Sequence, residues 1–316
     1  MEKNTLTSAG IYRNGFLFKL ADFIEHGGAC PVCGHEGARK VVSVIMTEAN
    51  ICFLECPKCF AVSSSHYLKP SVLDEYYSQY FSLRGLGDLN VGMENYQNYS
   101  KFLSSVLNFD KDSIRILDYG GGGGVISYEV AQNLSQRGKC QRVEAVVVDY
   151  SDNIMAFKES EAFAMSHMEP DTQIWKEMKF DVVMANDVIE HIFHVKPVIE
   201  SLFDCVERGG FLVIKTGYNQ PIYNFLLKAG WQNLPLILYP EHIHDFSKRF
   251  FSHFFTTFNQ DDYEVIASGP SFFAHKLFGP HFLAALAARI IRFPYHLFKD
   301  YPFVGGWQLI ARKAAD

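Results

Sequence analysis

Ile114-Arg115-Ile116-Leu117-Asp118-Tyr119, running straight into Gly120-Gly121-Gly122-Gly123-Gly124 and then Val125-Ile126-Ser127-Tyr128-Glu129-Val130, decides how this 316-residue chain is read. A short apolar run closes on an acid, five glycines form a bend made only of backbone, and apolar residues then recur at helical spacing. The pattern predicts strand, tight turn and helix, the first βα unit of an open α/β sheet. Glycine tolerates positive φ and puts no side chain between the backbone and a ligand. The bend therefore falls at the carboxyl end of a strand and the amino end of a helix, where open α/β sheets take their ligands. No register of the run supplies the dinucleotide fingerprint G-x-G-x-x-G: counted from Gly120 the third glycine falls on Val125, and counted from Gly121 on Ile126. What fits is Asp118-x-Gly120-x-Gly122-x-Gly124, with the acid ahead of the glycines.

The segments that follow extend the same sheet. Arg142 to Asp149 is a β-branched run ending in an acid, and alternation of strands and helices returns Asp149 beside the bend. Its competing role is to cap a helix opening at Ser151. A helix is expected over Asn153 to Met165, with a short third strand near Ala162 to Met168. Phe180 to Asp187 forms a fourth strand that brings Asn186 and Asp187 to the same edge. A helix starting there carries Glu190, His191 and His194 on its first turns. Gly209 to Thr216, Tyr263 to Ala267 and Trp307 to Arg312 complete the strands.

Taken together, Ile116-Leu117-Asp118-x-Gly120-x-Gly122-x-Gly124, Val148-Asp149, Phe180-Asp181-Val182-Val183, Glu190-His191-Ile192 and Gly209-Gly210-x-Leu212 resemble the class I S-adenosylmethionine (SAM) methyltransferases. The resemblance is to the ubiquinone-type O-methyltransferases and bacterial sugar methyltransferases. Four paired cysteines, a Tyr-Tyr segment and Pro240-Glu241-His242-Ile243-x-x-Phe246-Ser247 make it similar to zinc-ribbon-bearing sugar C-methyltransferases. It covers most of residues 30 to 312. It implies a Rossmann-like sheet and SAM as cofactor, with Asp118, Gly120, Gly122, Gly124, Asp149, Asn186 and Asp187 around it. Asp118 is then expected to accept hydrogen bonds from the cationic aminoacyl sulfonium and Asp149 to take the ribose hydroxyls, with Ser166 or His167 beside the adenine. Motif I departs from the family in having Tyr119 where many members carry a small residue, and five glycines where they carry three.

Cys30-Pro31-Val32-Cys33 and Cys56-Pro57-Lys58-Cys59 stand 22 residues apart. Paired C-x-x-C knuckles at this distance can close a tetrahedral four-thiolate zinc site, structural because no coordination position stays open. Two disulfides are the alternative; the absence of a signal-peptide core at the amino terminus argues against them. Between the knuckles, Lys40 to Ile45 and Asn50 to Leu54 read as ribbon strands. The expected organisation is a zinc ribbon over 1–69, an aromatic-rich helical connector over 70–110 containing Tyr76 to Phe81, and a SAM-binding domain over 111–316. The last carries a helical insertion at about 270–304. Residues 1 to 29 offer no clear chemistry, and the aromatic cluster reads as packing, or as a wall of the pocket.

With 48% hydrophobic and 20% charged residues, the chain can bury a substantial core. A net charge of −6 supplies no global field toward nucleic acid. Its longest uncharged apolar stretches, such as Leu277 to Ala288, fall short of a membrane span. A cytoplasmic protein acting on a small-molecule acceptor, a nucleotide-linked or glycan sugar, is expected. Alternatives are an RNA methyltransferase with a zinc module, disfavoured by acidity, and a non-catalytic SAM-fold binding module. Oligomeric state is not readable.

Methyl transfer from a sulfonium is an in-line displacement, so the protein mainly positions the acceptor. A hydroxyl or carbon acid also needs a base. His242 is the first candidate and His191 the second, with His194 and His244 also near the sheet edge. Tyr239 to Ser247 lies where the family places a loop over substrate, and Ser247 is expected to cap the following helix. His242, His244 and Asp245 form a weak metal-ligand pattern. In the insertion, Leu283, Leu286, Ile290 and Phe293 share one helical face. That face reads as a lid or dimer helix, or as a basic amphipathic patch in peripheral contact with a bilayer.

Overall fold

The structure is a computed structural model that describes residues 5–7, 10–13, 15–26, 28–46, 49–84, 87–109, 111–138, 140–150, 160–230, 239–257, 262–271, 286 and 289–315. The chain begins with a three-stranded meander of β1 (Thr5–Thr7), β2 (Gly10–Arg13) and β3 (Phe16–Lys19). Then come β4 (Phe23–Glu25), β5 (Lys40–Met46), β6 (Ile51–Glu55), β7 (Val62–Ser64) and β8 (His66–Leu68). Two helices follow, α1 (Pro70–Arg84) and α2 (Gly87–Val106).

The remainder builds the main layer. In order it is β9 (Ser113–Tyr119), α3 (Val125–Gln136), β10 (Arg142–Val148), β11 (Phe163–Met168), β12 (Phe180–Asn186), α4 (Val195–Cys205), β13 (Val206–Tyr218) and α5 (Gln220–Lys228). It continues through β14 (His244–Asp245), α6 (Lys248–Thr257), β15 (Tyr263–Pro270), α7 (Pro294–Leu297) and β16 (Gly305–Lys313). Seven strands form one sheet in the order β11-β10-β9-β12-β13-β16-β15. The five from β11 to β13 are parallel, and β16 and β15 join antiparallel. This is the open α/β sheet that the strand pattern predicted, with the Rossmann-like order that the resemblance implied.

The sheet is buried on both faces, as a parallel sheet must be. Every residue of β12 is buried. Its alternate residues serve opposite cores: Val182 and Met184 join Ile116, Leu103 and Val213, whereas Val183 and Ala185 join Leu117, Leu212 and Phe250. Each fully buried aliphatic side chain of this kind contributes about 1.5–3 kcal/mol. The second core also contains Cys30, Cys56 and Cys59, so the knuckles pack with the sheet's own helices.

Register places the functional edge. Tyr119 pairs with Val148 on one side and Ala185 on the other. Gly120, Asp149 and Asn186 are the next residues along their strands, and thus lie abreast. Strand order reverses between β9 and β12, the crevice where open α/β sheets receive ligands.

Two sequence expectations are corrected. The helix expected through Met165 cannot include its last three residues, because Phe163–Met168 pairs in parallel with β10; residues 151–159 lie outside those described. Sheet pairing there outweighs the helical preference of an Ala- and Met-containing run. No helix begins at Asp187 either. A single 3-10 turn, Ile189–His191, precedes α4, which starts at Val195 with His194 as its N-cap. Pro197 has no N–H and is tolerated only in a first turn, which sets that start. In the insertion, Leu283 lies outside the described residues, while Ile290 and Phe293 are 64% and 61% exposed. No helix of the described residues is long and apolar enough to cross a membrane.

Candidate active site

The glycine bend is built as its sequence demands. Gly120, Gly122 and Gly124 take φ of 69°, 53° and 76°, the left-handed region in which a side chain is strained. The Gly120 N–H donates to the Val148 carbonyl at 2.8 Å, extending the ladder one residue beyond the strand. A Cβ on Gly121 would lie 2.6 Å from Asp118 Cγ, and one on Gly122 would meet nothing within 4 Å. Asp118 is only 1% exposed and sits beneath the bend, where Ser127 Oγ donates to its Oδ2 at 2.6 Å. Burial pushes its pKa up to about 6.

Asp149 holds the bend from the side: its Oδ2 accepts the Gly122 N–H at 2.8 Å. His167 Nε2 donates to the Asp149 carbonyl at 2.8 Å, placing that imidazole at the same edge. Asn186 is 8% exposed. Its Oδ1 accepts from Tyr99 Oη at 2.9 Å, while its Nδ2 donates to nothing among the described residues. A buried amide donor without a partner costs about 1–3 kcal/mol, which a ligand acceptor would recover. Asp187 has a left-handed φ of 53° and pairs with Lys215, whose Nζ lies 5.6 Å from the Tyr99 ring centroid.

Next to Glu190 and His191, the segment 239–245 is tied down at nearly every residue. The Ile243 N–H donates to the Glu190 carbonyl at 3.0 Å, and the Ile243 carbonyl accepts from Ser64 N–H at 2.8 Å. Glu190 is fully buried and accepts from Thr216 Oγ1 at 2.9 Å and from the Gly217 N–H at 3.2 Å. Burial raises its pKa. His191 Nδ1 donates to the Glu241 carbonyl at 2.9 Å, so its Nε2 is the nitrogen left for other work. The His191 and His242 rings meet edge to face at 4.6 Å. Ligand-capable atoms of Glu190, His191 and His242 lie within 4.8 Å of one another.

The weak His242, His244 and Asp245 metal pattern is not assembled. His244 is buried with both nitrogens engaged, Nδ1 with Ser63 Oγ at 2.9 Å and Nε2 with the Phe193 carbonyl at 3.1 Å. Burial lowers its pKa to about 4, so it is a neutral structural imidazole. The Asp245 carboxylate accepts the Asn219 and Gln220 N–H groups at the start of α5. His194 is exposed. Ser247 does cap α6, accepting the Phe250 N–H at 3.3 Å.

The group that sequence reasoning missed is Glu241. Its buried carboxylate receives Arg13 Nη2 at 2.5 Å and the hydroxyl of Tyr76. Tyr76 read as packing and Arg13 lay in a stretch without evident chemistry. The one available hint was an arginine inside an otherwise apolar strand, where a buried charge needs a partner.

The four knuckle cysteines meet as the spacing implied. Cys30 and Cys59 have Sγ atoms 3.7 Å apart, as do Cys33 and Cys56, and all four lie within 4.8 Å. A disulfide requires about 2.0 Å. Thiolates about 2.3 Å from a tetrahedral ion would stand about 3.8 Å from each other. The knuckle turns are closed by Gly34 N–H to the Cys30 carbonyl at 2.8 Å and Phe60 N–H to the Cys56 carbonyl at 3.0 Å.

A family model described as a methyltransferase domain matches residues 93–265, more than half of the chain and the whole of the parallel sheet. The chain belongs to that methyltransferase family. This methyltransferase is 24% identical over 146 residues to a ubiquinone biosynthesis O-methyltransferase of Leptothrix cholodnii, a match covering 43% of this chain and 58% of that relative. Among solved structures it is similar to the plantazolicin methyltransferase BpumL in complex with S-adenosylhomocysteine (SAH), with TM-score 0.49 and 15% identity over 78% of this chain and 91% of that one. It is also similar to loganic acid methyltransferase with SAH, with TM-score 0.43 and 10% identity over 72% and 95% of the two chains.

Proposed function

We propose that the enzyme methylates a small acceptor, a nucleotide-linked or glycan sugar, with SAM lying across the sheet edge at the glycine bend. The observation that carries this reading is the alignment of Gly120, Asp149 and Asn186 at the switch point, with the buried Asn186 Nδ2 lacking an acceptor among the described residues. Gly120, Gly122 and Gly124 would give the cofactor close approach to backbone, Asp149 would take the ribose hydroxyls, and Asn186 and Asp187 would border its other end. Asp118, lying beneath the bend, would act through the shape of the bend and through its charge. The bound cofactor supplies an electrophilic methyl group.

The chain's own residues then position the acceptor and take its proton. His242 is assigned as the base or acceptor contact, supported by its place beside Glu190 and Gly217. His191, fixed through Nδ1 to the Glu241 carbonyl, holds the His242 ring by edge-to-face contact and is the second candidate. Cys30, Cys33, Cys56 and Cys59 are assigned to one structural zinc ion, supported by the tetrahedral sulfur spacing. Residues 1–69 are assigned as the ribbon unit, 70–110 as connector and 111–316 as the SAM-binding unit.

Isothermal titration with SAM and SAH tests the cofactor assignment. Binding is expected, with Asp149→Ala weakening it; unchanged affinity in that variant removes Asp149 from the site. Mass spectrometry of reactions containing labelled SAM and a panel of nucleotide sugars tests the acceptor class.

A further inference from the structure

Beside Asp187, an open cavity of about 390 Å³ lies between the end of β13 on one side and Ser271, Arg292 and Val304 on the other. That size falls within the range of about 300–1,000 Å³ typical of small-molecule sites. Its lining joins two chemistries. Ile222, Ile291, Phe303 and Val304 form apolar walls, and Lys215 and Arg292 bring cationic groups. We propose that this cavity is the acceptor pocket, and that it takes an acceptor in which an anionic group, a phosphate or carboxylate, is joined to an apolar body. The inference rests on the methyl-transfer reading and narrows its acceptor.

Position supports the assignment first. Asp187, Thr216 and Gly217 belong both to the cavity and to the edge of the sheet where β12 and β13 end. Gly217 is the wall toward the histidines. A Cβ there would collide with Asn219 Nδ2 at 2.7 Å and stand 3.6 Å from His242 Nδ1 and 3.8 Å from Glu190 Oε1. Gly217 thus borders the cavity on one side and stands close to Asn219 and His242 on the other.

Charge supports it second. The chain as a whole is acidic, at −6, yet in this lining Lys215 pairs with Asp187 and Arg292 adds a further cation. Arg292 Nη1 donates to the Ser271 carbonyl at 2.8 Å, which orients the guanidinium. Gly305, at φ 72°, stands beside it: a Cβ there would be in ordinary contact with Nη2 at 3.4 Å. Burial lowers the Arg292 pKa, the signature of a cation held partly out of water, where an anion is bound more strongly than at an exposed site. A guanidinium is also the group suited to two-point recognition of phosphate or carboxylate oxygens.

The test is isothermal titration of the SAH-saturated enzyme with three probes: octyl phosphate, thymidine diphosphate and neutral octyl glucoside. Octyl phosphate represents a lipid phosphate, and thymidine diphosphate a nucleotide. At least one anionic probe is expected to bind one to one and about tenfold or more tighter than octyl glucoside, the effect of one charged hydrogen bond. Arg292→Met should remove that preference, and Arg292→Lys should retain most of it, which separates loss of charge from loss of fold. The tighter anionic probe identifies the source of the anion. If SAH binds normally but neither anion is preferred, or Arg292→Met binds like the parent, the pocket assignment is wrong. If SAH itself fails to bind, the methyl-transfer reading falls instead.

Discussion

Arg13 and Glu241, 228 positions apart, meet in an ion pair 2.5 Å long with both side chains almost fully buried. Tyr76 donates to the same carboxylate. A meander at the start of the chain thus holds the residue next to His242. Removing one partner of a buried pair leaves an uncompensated charge, which costs about 3–5 kcal/mol. Arg13→Met should therefore lower the free energy of unfolding by about that amount, read from denaturant titration. Glu241→Gln in the same background should recover part of the loss; two losses that simply add would show that the pair is not coupled.

His242→Ala is expected to reduce kcat by about 10²–10⁴-fold, the usual contribution of a general base. SAH affinity should stay near the parent value. A variant with parental kcat would transfer the role to His191, whose free Nε2 is the next candidate. His244→Gln serves as the control, since both nitrogens of His244 already have partners and its effect should fall on stability.

Stability should depend on pH through two buried groups of opposite sign. His244, depressed from 6.5 to about 4 by burial, stays neutral in the fold while the unfolded chain takes up its proton. Stability is thereby lost as pH falls from 6.5 toward 4, by about 3 kcal/mol in full. His244→Gln should flatten that loss between pH 7 and 5.

Asp118, raised by burial from 3.8 to about 6, keeps its proton in the fold at pH values where the unfolded chain has released it. Stability from this group falls as pH rises from 3.8 through 6, again by about 3 kcal/mol. Asp118→Asn keeps a partner for Ser127 and should gain on the parent as pH rises through that window. Parallel curves for the two proteins would contradict the shift.

One zinc ion per chain is expected by elemental analysis of the purified protein, with release by a strong chelator at low pH. Because the knuckles share a core with Phe246, Phe250 and Phe251, Cys33→Ser should lower the melting temperature of the entire enzyme. Protein that lacks metal and melts unchanged after the substitution would remove zinc from the account.

What could be read from the sequence was local. The strand, bend and helix from Ile114 to Val130 carry their geometry in consecutive residues, and the cysteine pairs carry theirs in spacing. Asp149 and Asn186 were reachable because parallel strands of similar length end at one edge. The partners of Glu241 were not, since they come from elements 165 and 228 positions distant and no periodicity links them. The helix expected at Glu190 failed because the apolar spacing of 188–192 continues into α4, and only Pro197 marks the break.

His244–Asp245 pairs with Val62–Ser64 as the outermost strand of the sheet that holds β5 and β6. The ladder that orders the knuckle sheet therefore continues into the loop that presents His242. Trimming the gene to residues 93–265 would delete three of the four strands and leave that loop without its lateral support. Expression of the shortened chain should yield a protein whose 239–245 amides exchange rapidly with solvent deuterium, even where its parallel strands still protect theirs.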